Sequence, residues 1–267
     1  MGDARKPNRN WSREQTLLAF QFYCETPFGQ LHGRNPKIVA LADLIGRTPS
    51  AVAMKCVNFA SLDPQIRESG RSGLTNVSAL DRRVWEEFHS NWDALIDECE
   101  AVRSRLQDES GIRDASQDDN GPDFEGDFTG DTRTAVVRLR VRQEFFRRAV
   151  LSGYGYKCCI SGVSEPRLLV ASHIVPWKED ASIRLHPGNG LCLSAIHDRA
   201  FDKYLFSLTD DYRVLLSTRL KCTRDRFLQD VFLPIEGTAI TLPERFVPQQ
   251  DFVQRHRGRM LDSDAAR

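Results

Sequence analysis

Between Val170 and Tyr204 the chain reads VASHIVPWKEDASIRLHPGNGLCLSAIHDRAFDKY, a stretch dense in side chains that handle protons and metal ions. His173 lies inside the apolar run LLVASHIVPW. A histidine titrates near neutral pH, so one held on a rigid element is suited to take a proton from water. Asn189 sits between Gly188 and Gly190 in a polar loop, where glycines permit unusual backbone angles. His197, Asp198 and Asp202 follow. The two aspartates are four apart and share a helix face, while His197 points about 100° away. Carboxylate oxygens suit Mg2+ or Mn2+, and an imidazole suits Zn2+, Ni2+ or Mn2+. Phosphodiester hydrolysis needs such equipment: an activated water and positive charge on the leaving oxygen. The competing readings are a hydrogen-bonded core histidine for His173, plain turn chemistry for Asn189, and a solvated helix face for His197, Asp198 and Asp202.

The elements that would position these residues can be read from the same stretch. The alternation in LLVASHIVPW predicts a strand carrying His173. A loop follows, then the apolar Leu191–Leu193, then a helix from Ser194 to Tyr204. A strand with His, a loop with Asn and a helix with His or Asp resembles the HNH endonucleases, whose site is a ββα hairpin gripping one metal ion. With the segment Cys158–Gly162 (CCISG) included, the resemblance covers about 45 residues. It implies His173 as general base, Asn189 as the residue that ties the loop and orients the base, and a divalent metal ion as cofactor. The literal third letter is His197, but the family often places that residue nine positions after the Asn, which here is Asp198. Many members also carry Asp immediately before the base. Ser172 stands there instead, which leaves water and substrate phosphate to complete a metal shell. The function implied is a metal-dependent DNA endonuclease, with a bacterial restriction or phage-defence role by family analogy. The alternatives are a DNA-binding regulator with an inactive HNH-like module and an HNH nuclease acting on RNA. A single site of this kind cuts one strand at a time, so cleavage of both would call for a homodimer.

The rest of the chain predicts an α+β protein with a helical N-terminal domain over 1–107, an acidic flexible linker over 108–133 and the nuclease domain over 134–267. Ser12 with Gln15 has capping-box form. Asn35-Pro36 and Thr48-Pro49 open two short helices separated by Gly46-Arg47, the outline of a helix-turn-helix. In that reading Arg47, Thr48, Ser50 and Lys55 would meet DNA; a solvated polar face is the alternative. Residues 111–132 hold 1 Lys+Arg against 7 Asp+Glu and few aliphatics, too little apolar surface to offset the cost of ordering. Residues 133–267 hold 22 Lys+Arg against 15 Asp+Glu, a balance that suits a polyanionic partner. Arg138, Arg140, Arg142, Arg147 and Arg148 lie on a predicted helix and would line a phosphate track or a solvated face. Thr238–Leu242 reads as a strand and the tail HRGRMLDSDAAR as a polar segment that frays. Seven cysteines with no C-x-x-C pair argue against a disulfide framework or a Cys-rich zinc site. Cys24, Cys56, Cys99 and Cys222 read as core or near-core. With no apolar run long enough to span a bilayer, the chain reads as a cytoplasmic protein making no membrane contact.

Overall fold

The computed structural model describes residues 10–68, 70, 77–110 and 130–266, so the central part of the acidic segment lies outside the described residues. The chain divides into two units, residues 1–23 with 28–124 and residues 24–27 with 125–267. The described part is mixed α and β, mostly helical, with two two-stranded sheets.

The first unit contains all but the last two residues of α1 (Arg13–Glu25), together with α2 (Pro36–Leu44), α3 (Pro49–Ala60), α4 (Pro64–Glu68), α5 (Ala79–Ser90) and α6 (Trp92–Ser110). Local chemistry sets most of the starts. Ser12 and Gln15 exchange side-chain and backbone hydrogen bonds at 3.1 and 3.2 Å. Asn35 accepts from the Lys37 N–H, and Thr48 from the Ala51 N–H. Ser78 forms a full capping box with Asp81. The core is aromatic: the Phe20 ring lies 4.6 Å from Phe88, 4.9 Å from Phe59 and 5.5 Å from Trp85, in tilted and edge-on arrangements.

The second unit carries α7 (Gly130–Gly153), β1 (Leu169–His173), β2 (Gly190–Ser194), α8 (Ala195–Asp202), β3 (Phe206–Leu208), β4 (Val214–Leu216), α9 (Thr218–Lys221), α10 (Arg226–Phe232) and α11 (Gln250–Ala265). β1 and β2 pair antiparallel, with Leu169 opposite Ser194 and His173 opposite Gly190. α7 lays Phe145, Phe146, Ala149 and Val150 on this hairpin, all four buried. β3 and β4 form a second hairpin.

Two expectations for the C-terminal part are corrected. Residues 238–242 form no strand; Ala239 makes a single antiparallel bridge to Arg213. The tail does not fray but forms α11, whose Phe252, Val253, His256 and Met260 are buried. A polar sequence still makes an anchored helix when its one inward polar group is satisfied. His256 is that group. Its Nε2 lies 3.1 Å from the Phe201 carbonyl, which can only accept, so Nε2 carries the proton and Nδ1 accepts from the Ser207 hydroxyl at 2.9 Å. Its ring stacks on Phe201 at 3.7 Å.

Burial lowers the His256 pKa to about 4, against about 6.5 in an unfolded chain. Between those values the unfolded state binds the extra proton, so stability falls as pH falls. The loss is about 1.4 kcal/mol per pH unit, reaching about 3 kcal/mol near pH 4, and is absent above about pH 6.5. We expect urea midpoints measured from pH 7.5 to 4.5 to show this decline. The variant His256→Gln should be less stable at pH 7.5 and show a shallower slope on acidification. An unchanged slope would place the acid sensitivity elsewhere.

Candidate active site

β1 sends Ser172 and His173 to opposite faces of the hairpin. His173 is half-buried. Its ring stacks on Phe146 at 3.8 Å with an interplanar angle of 9°, and Trp177 stands edge-on at 5.5 Å. Nε2 lies 3.0 Å from the Arg184 carbonyl oxygen. Because that oxygen can only accept, Nε2 is the protonated nitrogen and Nδ1 keeps its lone pair. Burial lowers the pKa of the ring to about 4 despite the bond to Arg184, so the imidazole is neutral at physiological pH. This is a neutral imidazole with its tautomer fixed by the backbone.

Asn189 is fully buried and works through both ends of its amide. Oδ1 accepts from the Val175 N–H at 2.8 Å and Nδ2 donates to the Val175 carbonyl at 3.0 Å, while its own carbonyl accepts from Ile174 N–H at 2.9 Å. It thereby extends the hairpin beyond the last paired residues and fixes the chain immediately after His173.

The flanking glycines act differently from the sequence-based expectation, since neither has a positive φ. Gly190 is small because α7 comes close: a Cβ there would lie 2.3 Å from Val150 Cγ2 and 3.0 Å from Phe146 Cζ. Gly190→Ala should therefore push α7 from the hairpin and cost about 1–3 kcal/mol by overpacking. It should also disturb the Phe146 ring stacked on His173. Thermal unfolding of the single variant beside Gly190→Ala with Val150→Ala checks this; the double variant should recover part of the loss.

On α8, Asp198 is half-buried and Asp202 more exposed. Desolvation raises both carboxyl groups above their ordinary range. For Asp198 the neighbouring Ser172 hydroxyl opposes that rise and the charge of Asp202 adds to it, while Arg199 lowers both groups. His197 is placed elsewhere. It is 4 % exposed, its Nδ1 lies 2.7 Å from Ser194 Oγ, and its ring meets Phe206 and Phe232 edge-on at 6.4 and 5.5 Å. Cys158 Sγ approaches the same nitrogen at 4.0 Å. Burial pushes the Cys158 thiol up, but hydrogen bonds from His197, Ser161 and Ile160 outweigh it and hold the thiol at about 6.

The strand–loop–helix arrangement lies inside a segment that matches a known family model. Residues 158–209 match the model described as HNH endonuclease. This segment belongs to the HNH endonuclease family. No curated protein matches the chain. The HNH segment points to nuclease activity in general and to a nucleic-acid substrate, in a family that generally uses a divalent metal ion.

The residues present can be tested against such an ion. Among the described residues no group of three or more His, Cys, Asp or Glu side chains could hold a metal. Asp198 and Asp202 are nonetheless two partly desolvated carboxylates, the charge of Asp202 adding to the cost of ionising Asp198, with the Ser172 hydroxyl beside the first. That donor set fits a hard divalent cation such as Mg2+ or Mn2+, with water and substrate oxygens completing the shell. It fits Zn2+ or Ni2+ less well, because His197 faces the core rather than the carboxylates.

The HNH segment also uses residues that sequence reasoning did not find: Phe146, Trp177 and the Arg184 carbonyl around His173. No local pattern marks them, since two come from a loop and one from a helix preceding the match. Of the arginines on α7, Arg147 donates to the Leu169 carbonyl at 3.0 Å and Arg148 pairs with Glu144 at 2.7 Å. Cys222 is exposed, contrary to expectation, while Cys24, Cys56 and Cys99 are buried.

The residues expected to meet DNA from the first unit divide. Thr48 and Ser50 are exposed at the start of α3, and Arg47 is half-buried, its guanidinium 2.8 Å from Gln15 Oε1. Lys55 is corrected outright. It is 5 % exposed, ion-paired with the fully buried Asp81 at 2.6 Å and set over the Trp11 ring at 4.6 Å. Among the described residues no helix is long and apolar enough to cross a membrane.

Proposed function

We propose that the chain is a metal-dependent DNA endonuclease in which His173 is the general base and Asp198 and Asp202 hold Mg2+ or Mn2+. The observation that carries this reading is the single available lone pair at His173 Nδ1, fixed by the Nε2 bond to Arg184 in a segment of the HNH family. Nδ1 takes the proton from an attacking water. As it does so, the positive charge spreads over the ring and strengthens the Nε2–H bond to the carbonyl, which stabilises the imidazolium. Phe146 and Trp177 keep the ring plane in place, and Asn189 keeps the backbone beside it in place. A bound cation supplies positive charge to the phosphate and the leaving oxygen. His197 supports α8 from the core side and takes no part in proton transfer. Recognition by the first unit is assigned to Arg47, Thr48 and Ser50 at the start of α3, and the biological role to restriction or phage defence.

Plasmid cleavage tests this. The protein is incubated with Mg2+, Mn2+, Ni2+ or EDTA on unmodified and cytosine-methylated plasmid. Metal-dependent nicking or linearisation is expected, and a difference between the two plasmids would support the restriction role. DNA binding without metal-dependent cutting on either plasmid would instead favour the regulator.

A further inference from the structure

The helix α11 reaches the catalytic hairpin through its arginines. Arg255 and Arg259 are four residues apart and therefore share one flank. Arg259 engages both carboxylate oxygens of Glu179, with Nη2 2.6 Å from Oε2, and donates to Tyr204 Oη at 3.2 Å. Arg255 reaches Asp180 Oδ2 at 3.3 Å and Glu179 at 3.9 Å. Glu179 and Asp180 lie in the connection between β1 and β2. The same connection supplies the Arg184 carbonyl that holds His173 Nε2, and its Arg184 guanidinium lies 5.2 Å over the Trp177 ring.

We propose that Arg255 and Arg259 are positioning residues for His173. They clamp the Glu179–Asp180 corner of the connection, and the clamped connection presents the Arg184 carbonyl to the imidazole. The role for catalysis rests on His173 being the base; the clamp itself does not. A lone exposed ion pair contributes little, because ordering two long side chains offsets the Coulomb attraction. Here the cost of order is reduced in two ways. Arg259 binds Glu179 as a planar two-point fork. The helix that carries both arginines is fixed separately, by the buried Phe252, Val253 and Met260 and by the two hydrogen bonds of His256. Asn189 secures residues 174 and 175 at one end of the connection, and the buried Leu185 with His186, whose Nε2 lies 3.1 Å from Gln249 Nε2, holds it after Arg184, so Glu179 and Asp180 tether the part between these two anchors. Release of that part would free His173 Nε2 from the carbonyl, and the ring could then present the wrong nitrogen to water.

The test is a charge-swap cycle in the full chain: Glu179→Arg, Arg259→Glu, and the two together, with thermal unfolding confirming that each variant folds. Two readouts are used, hydrogen exchange of peptides covering 176–186 and plasmid nicking with Mn2+. In each single variant exchange should rise about three- to tenfold, and kcat should fall by a similar factor at unchanged KM. The double variant should restore both in large part. Unchanged exchange in the single variants, or a double variant no better protected than they are, overturns the clamp. Exchange that responds while kcat does not overturns the positioning role. A wild type that fails to cut with any of the metal ions overturns the nuclease reading, and with it the catalytic role, while the exchange cycle still decides the clamp.

Discussion

The variant His173→Ala is expected to lower kcat for DNA cleavage by about 10²- to 10⁴-fold, the usual worth of a positioned general base. KM should stay within about threefold, because the lost interaction acts on the proton in flight rather than on substrate binding. Nδ1 is the nitrogen left with a lone pair once Nε2 is committed to the Arg184 carbonyl, and Asn189, whose amide is spent on Val175, offers no substitute. His173→Gln should be nearly as inactive: an amide can donate to the carbonyl but is far too weak a base. The informative contrast is His197→Ala. That residue packs between Phe206 and Phe232 and bonds to Ser194, so its loss should lower stability by about 2–4 kcal/mol through cavity formation and a lost buried hydrogen bond. The protein that remains folded should keep a kcat near that of wild type. Steady-state cleavage at a temperature well below both unfolding midpoints separates the two histidines. Equal losses of kcat would put His197 back in the reaction and sink the assignment made from its burial.

That contrast also marks where the sequence stops being informative. Helical periodicity places His197 about 100° from the Asp198–Asp202 face, but it does not say which face meets the hairpin. The answer depends on Phe232, more than thirty residues downstream, which closes over His197. Helix starts are different. Ser12, Asn35 and Thr48 could be read directly because a cap is satisfied by residues two or three positions away. Gly190 falls between these cases. Its identity pointed to a turn, whereas its role is to admit Val150 and Phe146 of α7, a contact between distant parts of the chain. The C-terminal tail is a related case. The buried positions of the helix it belongs to, Phe252, Val253, His256 and Met260, are sparse among charges, and His256 becomes a core residue only through Ser207 and Phe201.

Lys55→Ala is expected to destabilise the first unit by about 3–5 kcal/mol, an effect on folding rather than on a DNA contact. The side chain was attractive as a contact because it lies on the second helix of a helix-turn-helix outline, yet it is 5 % exposed and its partner Asp81 is fully buried. Asp81 Oδ2 is already used by the Ser78 N–H, and Oδ1 depends on the Lys55 ammonium at 2.6 Å. Removing the lysine strands a buried carboxylate at the start of α5. It also removes the cation over Trp11, while Arg47 stays on that ring at 5.1 Å. The paired variant Lys55→Met with Asp81→Ser should be much less harmful than Lys55→Ala, because it removes both charges and Ser can still receive the cap bond. Urea unfolding of the three proteins, with DNA binding measured under conditions where each is folded, decides the matter. If Lys55→Ala weakens binding while leaving the unfolding midpoint in place, the buried ion pair is not what this lysine is for. By the same reasoning a loss of DNA affinity in this variant says nothing about recognition until folding has been measured, whereas Thr48 and Ser50, exposed at the start of α3, can be tested for contact through binding once the loss of the Thr48 cap is allowed for.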